Sequence, residues 1–590
     1  MKNRRKRQWR GGEIKRSGAS CIRACNAGTA MQSRSTGEPK ARATGEIAVT
    51  ATIDSTNQAP PLENHNRYRG HRVLREAVAR EGAAWADEEL AACGQALGSS
   101  HWIAQGDAAN RYPPSLHMLD RFGERSDSFE FHPAWHACLH WLKQHGLAGA
   151  AWCDERAGAQ VRRAALFQLF AEIECGSLCP TTMSHSAAPV LARTPALAEP
   201  WRRLLMAAEY DPRDLPAGDK SGLLVGMGMT ERQGGSDVRS NTTRAEAAGG
   251  GWYRLEGHKW FFSVPMSDAH LVTAQAPGGL SCFFMPRFGP DGRRNGIRII
   301  RAKDKLGDHA NASAEVQFDA ALALLVGEEG RGLATVLEMA NHTRLDCANG
   351  SAGIMRGAFA EALHHARHRR AFGKALVDQP LMANVLADMA LEVAGHVALC
   401  LRVAATVDRR ADEGEATLGR LLTPLVKYWV CKRTPALVAE AMEVLGGNGY
   451  VEEGRMARPF RQSPLNSIWE GSGNVMCLDV LRALARAPRV TEVLVAELER
   501  ARGHNRTHDR DVTHIKNILA AGPVECEARH FAERLALVME ASLLLRAGAG
   551  PLADTFTTSR SGSSSGRAFG TLPAGSDFAA ILDHAGLEPA

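Results

Sequence analysis

A chain of 590 residues is longer than one compact core organises, so three or four structural units are expected. With 44% hydrophobic and 23% charged residues it belongs among globular proteins. Its longest apolar helical stretches, such as 395–407, are interrupted by Arg or too short to cross a bilayer, which points to a soluble cytoplasmic protein without membrane attachment. The net charge of +6 resides in residues 1–45, where twelve Lys/Arg face only Glu13 and Glu38, so it implies no basic face on the folded body.

Residues 1–60 read as a basic, disordered leader. A transit peptide or a nucleic-acid-binding arm shares this composition, and Met31 is a later candidate start. From 61 to 220, apolar residues recur at three- and four-residue steps, the pattern of a helical domain. Between 221 and 328 the rhythm changes to short β-type segments divided by Gly, Pro, Asn and Asp, which predicts a small antiparallel β-barrel or sandwich. In "AEVQFD", Val316 and Phe318 fall on one face, with Glu315, Gln317 and Asp319 on the other. Residues 329–487 return to long helices, and one of them carries an apolar stripe of Met382, Leu386, Met389, Val393, Val397 and Cys400; a bundle is expected. A further helical unit spans 488–590 and ends in a low-complexity, flexible tail around 557–570. The thirteen cysteines lack the paired spacing of structural zinc sites and suit a reducing compartment.

Two glycine-rich segments resemble dinucleotide fingerprints and fail their context. "GMGMTERQGGSD" (226–237) has Glu231 where the third glycine belongs, and "LGGNGYVEEG" (445–454) follows a helix. Taken alone, the first is a cofactor loop or a polar surface hairpin. Glu470 in "IWEGSGNV" is either a base or a turn acid ahead of a helix capped by Asn474.

Five ordered segments (226–237, 257–272, 303–319, 369–390 and 444–476) together resemble the acyl-CoA dehydrogenase family, most closely its AidB-type members, over about 65–580. The resemblance implies an α+β fold: an N-terminal helical domain, a middle β-barrel, a C-terminal bundle and an extra helical unit. It implies FAD, an acyl-CoA-like substrate and a homotetramer. Thr230 and Ser236, with the backbone of Met227, Gly228, Met229, Gly234 and Gly235, would meet the isoalloxazine edge, since glycine permits close approach and hydroxyls can donate or accept. Phe261, Phe262 and Ser263 stand where the family places Trp-x-Thr beside the ring; Phe can still stack on it. Arg369, Phe372 and Gln379 fall at positions that hold the pyrophosphate and adenosine, often of a neighbouring subunit, and Arg suits a diphosphate by its planar fork. Gly446, Gly447 and Gly449 would turn over the adenine-side phosphates. Glu470 matches the base, within a loop of Ile468, Trp469, Gly471, Ser472 and Asn474. AidB-type membership further implies a part in the response to DNA alkylation and contact with double-stranded DNA, for which Arg482, Arg486 and the basic stretch 291–305 are candidates. The competing readings are a housekeeping enzyme of acid catabolism and a DNA-coating protein with structural FAD.

Overall fold

The computed structural model describes residues 57–486, 488–561 and 566–585, and the basic leader up to residue 56 lies outside them. The first helices are short: α1 (Arg72–Val78), α2 (Asp87–Leu97) and α3 (Ser100–Arg111), the last capped by the Ser99 hydroxyl. The next segment departs from the expected continuous helix. β1 (Ser115–Leu119) and β2 (Arg125–Glu130) form an antiparallel hairpin. Four of the five β1 residues are exposed, so no inward–outward alternation marked it in the sequence. Then come α4 (Pro133–Gln144), α5 (Ala159–Ala171), α6 (Leu178–Leu191) and α7 (Pro195–Met206). Both α5 and α6 are buried almost all round, as interior helices are.

The middle unit contains β3 (Val225–Gly228), β4 (Arg244–Gly249), β5 (Trp252–Ser263), β6 (Ala269–Ala276), β7 (Gly279–Pro286), β8 (Ile297–Ala302) and β9 (Ser313–Val326). Strands β6, β4, β5, β9 and β7 pair in a ring that β7 closes onto β6, while β3 and β8 flank β6 and β9. Two contacts depart from an all-antiparallel barrel: β3 runs parallel to β6, and β4 meets β6 in parallel at Arg244 and Gln275. The long polar loop after β3 allows this, because it carries the chain across before β4 begins. Val316 and Phe318 point into the barrel core as their alternation requires.

The third unit is built on α8 (Gly332–His368), the two-residue strands β10 (Arg370–Ala371) and β11 (Lys374–Ala375), then α9 (Pro380–Asp408) and α10 (Glu413–Val444). Short α11 (Gly447–Tyr450) and α12 (Ala457–Gln462) lead to α13 (Gly473–Arg486). Helix α9 is long and apolar enough to cross a membrane, contrary to the sequence expectation, but 94% of that window is buried in the protein. It is the core helix around which α1, α5, α8, α10, α16 and α18 gather. The extension adds α14 (Pro488–Glu499), α15 (Arg506–Ala521), α16 (Ala528–Arg546), α17 (Pro551–Ser559) and α18 (Phe578–Ala585). The described part of the expected flexible tail docks back on the body: the backbone N–H groups of Gly570 and Thr571 donate to Asp388 on α9.

Candidate active site

The loop that follows β3 is organised by the residue that spoiled the glycine fingerprint. The Glu231 carboxylate is fully buried and accepts from the backbone and hydroxyls of Thr242 and Thr243, from Gln233 and from Lys259 Nζ at 2.8 Å. Burial alone would raise its pKa; the Lys259 ammonium and these hydrogen bonds outweigh that and hold the carboxyl well below its usual range. The sequence marked Glu231 only as the residue that breaks the fingerprint and did not mark Lys259, since 28 positions separate the two. With both ends anchored, the loop exposes Gly235 and Ser236. A Cβ at 235 would lie 2.6 Å from Thr230 Oγ1, so only glycine lets the loop close onto that hydroxyl.

Met227 and Met229 pack against an apolar cluster formed by Cys179 and Met183 of α6, Leu271, Phe284, Val264 and Met339; Trp469 packs against the same cluster. The loop after β3 and the Glu470 loop therefore share one core. Phe261 is half exposed on β5, with Lys303 Nζ 4.7 Å from its ring centre. Ser263 is part-buried. Phe262 requires correction as a contact residue. It is wholly buried in the barrel, stacked on His270, and a Cβ at Gly228 would strike its ring at 2.5 Å. The bulge in β5 sends Phe261 outward and Phe262 inward.

Glu470 follows the exposed Ile468 and part-buried Trp469, whose indole donates to Asn466. Its φ of +58° lies in the left-handed region, a conformation that costs a side-chain-bearing residue about 1–2 kcal/mol. The carboxylate is half-buried and accepts a 2.5 Å hydrogen bond from Thr343 Oγ1 on α8. Burial pushes its pKa above the ordinary value, opposed by Thr343, Arg344 and Lys427. An ionisable carboxyl with a raised pKa beside an apolar cluster can take a proton from carbon. Gly471 is also left-handed, at φ +101°. Ser472 is exposed and its carbonyl receives Met476 N as α13 begins. Asn474 is not the helix cap: it lies inside α13, and its amide oxygen is taken by Arg529 Nε at 2.8 Å.

The remaining candidates form a separate group. Arg369 Nη1 donates to the Asn57 carbonyl, Gln379 Nε2 to the Ala371 carbonyl, and Phe372 stands 99% exposed at the tip of the β10–β11 turn. Gly446 and Gly447 are exposed, Gly449 lies against the Met442 carbonyl, and Asn448 reaches Gln58. Both segments thus meet the chain at residues 57–58. No hydrogen bond or ion pair among the described residues joins this group to the loop after β3.

In the basic stretch 291–305, Arg294, Arg298, Arg301, Lys303 and Lys305 are each paired with a carboxylate, which leaves Arg293. Arg482 and Arg486 are exposed on α13. Among the described residues no group of three or more His, Cys, Asp or Glu could hold a metal, and no disulfide forms.

A helical N-terminal unit, a β-barrel, and a helical bundle with the Glu470 carboxylate on the loop before α13 define an acyl-CoA dehydrogenase architecture. Family models agree in chain order: the adaptive response protein AidB N-terminal domain at 57–212, the acyl-CoA dehydrogenase middle domain at 226–321 and its C-terminal domain at 330–485. The chain is 50% identical over 502 residues to AidB of Escherichia coli (strain K12), covering 85% of this chain and 93% of that one. It is 29% identical to acyl-CoA dehydrogenase family member 11 of Caenorhabditis elegans, over 70% of this chain and 69% of that one. The crystal structure of C. elegans ACDH-11 in complex with C11-CoA superposes with a TM-score of 0.79 at 24% identity, covering 92% and 95% of the two chains. An acyl-CoA dehydrogenase from Bacillus anthracis complexed with FAD gives 0.58 at 18%, covering 77% and 82%. This chain belongs to the acyl-CoA dehydrogenase family of FAD oxidoreductases acting on CH–CH bonds, on its AidB-like branch.

Proposed function

We propose that this protein is an AidB-type flavoprotein that dehydrogenates an acyl-CoA thioester and serves the adaptive response to DNA alkylation. The observation that carries the enzymatic part is the convergence of two distant segments on one apolar cluster: Met227 and Met229 from one side, Trp469, next to Glu470, from the other. The residues fit FAD. The hydroxyls of Thr230, Ser236 and Ser263 have no intramolecular partner among the described residues, and Phe261, on the same strand as Ser263, has a half-exposed ring. A planar heteroaromatic ring with polar edges needs this mixture. When bound, the flavin supplies the acceptor for the hydride that leaves the β-carbon. Glu470 takes the α-proton, and the electron pair of the broken α C–H bond becomes the new double bond. Arg369, Phe372, Gln379 and the 446–449 turn serve the nucleotide end of a neighbouring subunit's cofactor in a homotetramer, which accounts for their separation from the ring-side residues.

The test is anaerobic bleaching of the flavin band across acyl-CoA chain lengths, with and without duplex DNA. Wild-type protein bleaches with a matching thioester, and Glu470→Gln loses at least a hundredfold in that rate. A protein that takes up no FAD on reconstitution, or a Glu470→Gln variant that bleaches normally, overturns the assignment.

A DNA-coating role is favoured by one feature: Arg482 and Arg486 lie one helical turn apart, exposed and with no carboxylate partner among the described residues. The expectation is salt-dependent duplex binding that weakens in Arg482→Ala/Arg486→Ala and survives Glu470→Gln. Binding unchanged in the double variant rules this surface out.

A further inference from the structure

Three consecutive peptide carbonyls on the Glu470 loop are each held by a cation from the bundle. Lys427 on α10, 1% exposed, donates from Nζ to the carbonyl of Trp469 at 2.8 Å and to that of Gly471. Arg344 on α8 donates from Nε to the carbonyl of Glu470 at 3.1 Å and is anchored in turn by Asp479 of α13. The carbonyls before and after residue 470 converge on one ammonium because residues 470 and 471 both have positive φ. In an extended strand the carbonyls of residues two apart point the same way but stand about 6.6 Å from each other, too far for one ammonium to bridge positions 469 and 471 at hydrogen-bond distance. Among the described residues no carboxylate pairs with Lys427; its donors go to the loop backbone.

We propose that Lys427 is the positioning residue of the base: it clamps the loop in the left-handed turn from which the Glu470 carboxylate reaches Thr343. This rests on the assignment of Glu470 as base and adds what keeps it in place. Lys427 also acts on the carboxylate through its charge. The ionisable groups around Glu470 are Arg344 and Cys347 on α8, Lys427 on α10 and Cys179 on α6. Burial pushes both thiols up, so they stay neutral and the two cations supply the field. Burial raises the Glu470 pKa, and Thr343, Arg344 and Lys427 oppose it. Loss of the ammonium removes one of these opposing contributions and frees the loop from its strained turn.

The experiment compares wild type, Lys427→Met and Lys427→Arg by two readouts. In apoprotein, infrared titration of the protonated carboxyl band that disappears in Glu470→Gln gives the midpoint of Glu470. In FAD-loaded protein, stopped-flow reduction gives the rate against pH. Lys427→Met is expected to move the infrared midpoint upward and to slow reduction roughly a hundredfold, with KM for the thioester little changed. Lys427→Arg keeps charge and donors and restores most of both. If Lys427→Met does not fold, a smaller displacement in the same direction in Lys427→Arg decides the matter. An unmoved midpoint in a folded Lys427→Met overturns the inference while leaving the base assignment intact. A wild type that no acyl-CoA reduces overturns the base assignment, and the infrared midpoint still reports on the clamp.

Discussion

At Glu470 two opposing requirements meet in one side chain. The proposed base role needs a raised pKa, which burial provides, and a carboxyl that still ionises, which Thr343, Arg344 and Lys427 favour. The reduction rate should therefore rise with pH on the acid side, with a midpoint above the 4.5 of an ordinary glutamate, and this limb should vanish in Glu470→Gln. Glu231 has the contrasting environment. Its carboxylate is saturated with donors and its pKa depressed, so it organises the loop after β3 and does no proton transfer. Glu231→Gln leaves the buried Lys259 ammonium without its counter-charge, a loss of about 3–5 kcal/mol for a broken buried pair. Thermal denaturation and FAD retention measure it, and a Tm within a degree of wild type would contradict the organising role. Glycine positions in this loop were readable from the sequence, because backbone that closes onto Thr230 leaves no room for a Cβ. The Glu231–Lys259 pair was not, because nothing local distinguishes a buried glutamate from a surface one.

Among the elements, α9 joins the bundle to the extension through ionised groups. His396 lies between Glu540 of α16, at 2.7 Å, and Glu392, which also holds Arg433. Burial would lower the imidazole pKa, and the two carboxylates reverse that and raise it to about 9. A raised pKa means that the charged pair stabilises the fold fully below the unfolded value near 6.5, and that this contribution is lost as pH rises through about 9. The stability gap between wild type and His396→Gln should be largest at pH 6 and shrink between pH 7 and 10, as read by urea unfolding. A gap independent of pH would mean the imidazole is neutral throughout. The apolar stripe on α9 was legible from its period, as was the return to long helices after the barrel. The β1–β2 hairpin was not, because an exposed strand carries no burial pattern. The return of the tail onto Asp388 also left no trace in a segment of Ser, Gly and Arg.

Over the whole molecule, the large apolar side chains left exposed are informative by position. Phe372 is 99% exposed, Leu381 82% and Tyr450 81%, each within or next to a segment proposed to serve a neighbouring subunit's cofactor. Isolated chains seldom present such side chains together unless a partner covers them. Phe372→Asp is expected to shift the protein toward smaller assemblies in sedimentation velocity and to lower its FAD content together with it. A variant that dissociates yet keeps full FAD would separate the assembly from the cofactor site. The five ordered segments made the acyl-CoA dehydrogenase architecture legible, because their order along the chain matches the helix, barrel and bundle that follow one another in the fold.

The amino-acid sequence by itself determined the long helices of the bundle, the strand-rich middle unit and where glycine must stand in the loop after β3. These follow from short-range sterics and from the period of apolar residues. Tertiary structure alone decided which cation meets which carboxylate or carbonyl. Thr343 reaches Glu470 across 127 positions, and Lys427 reaches Trp469 across 42. Such pairs form only after helices have packed, because the free energy that selects them comes from burial shared between distant parts of the chain.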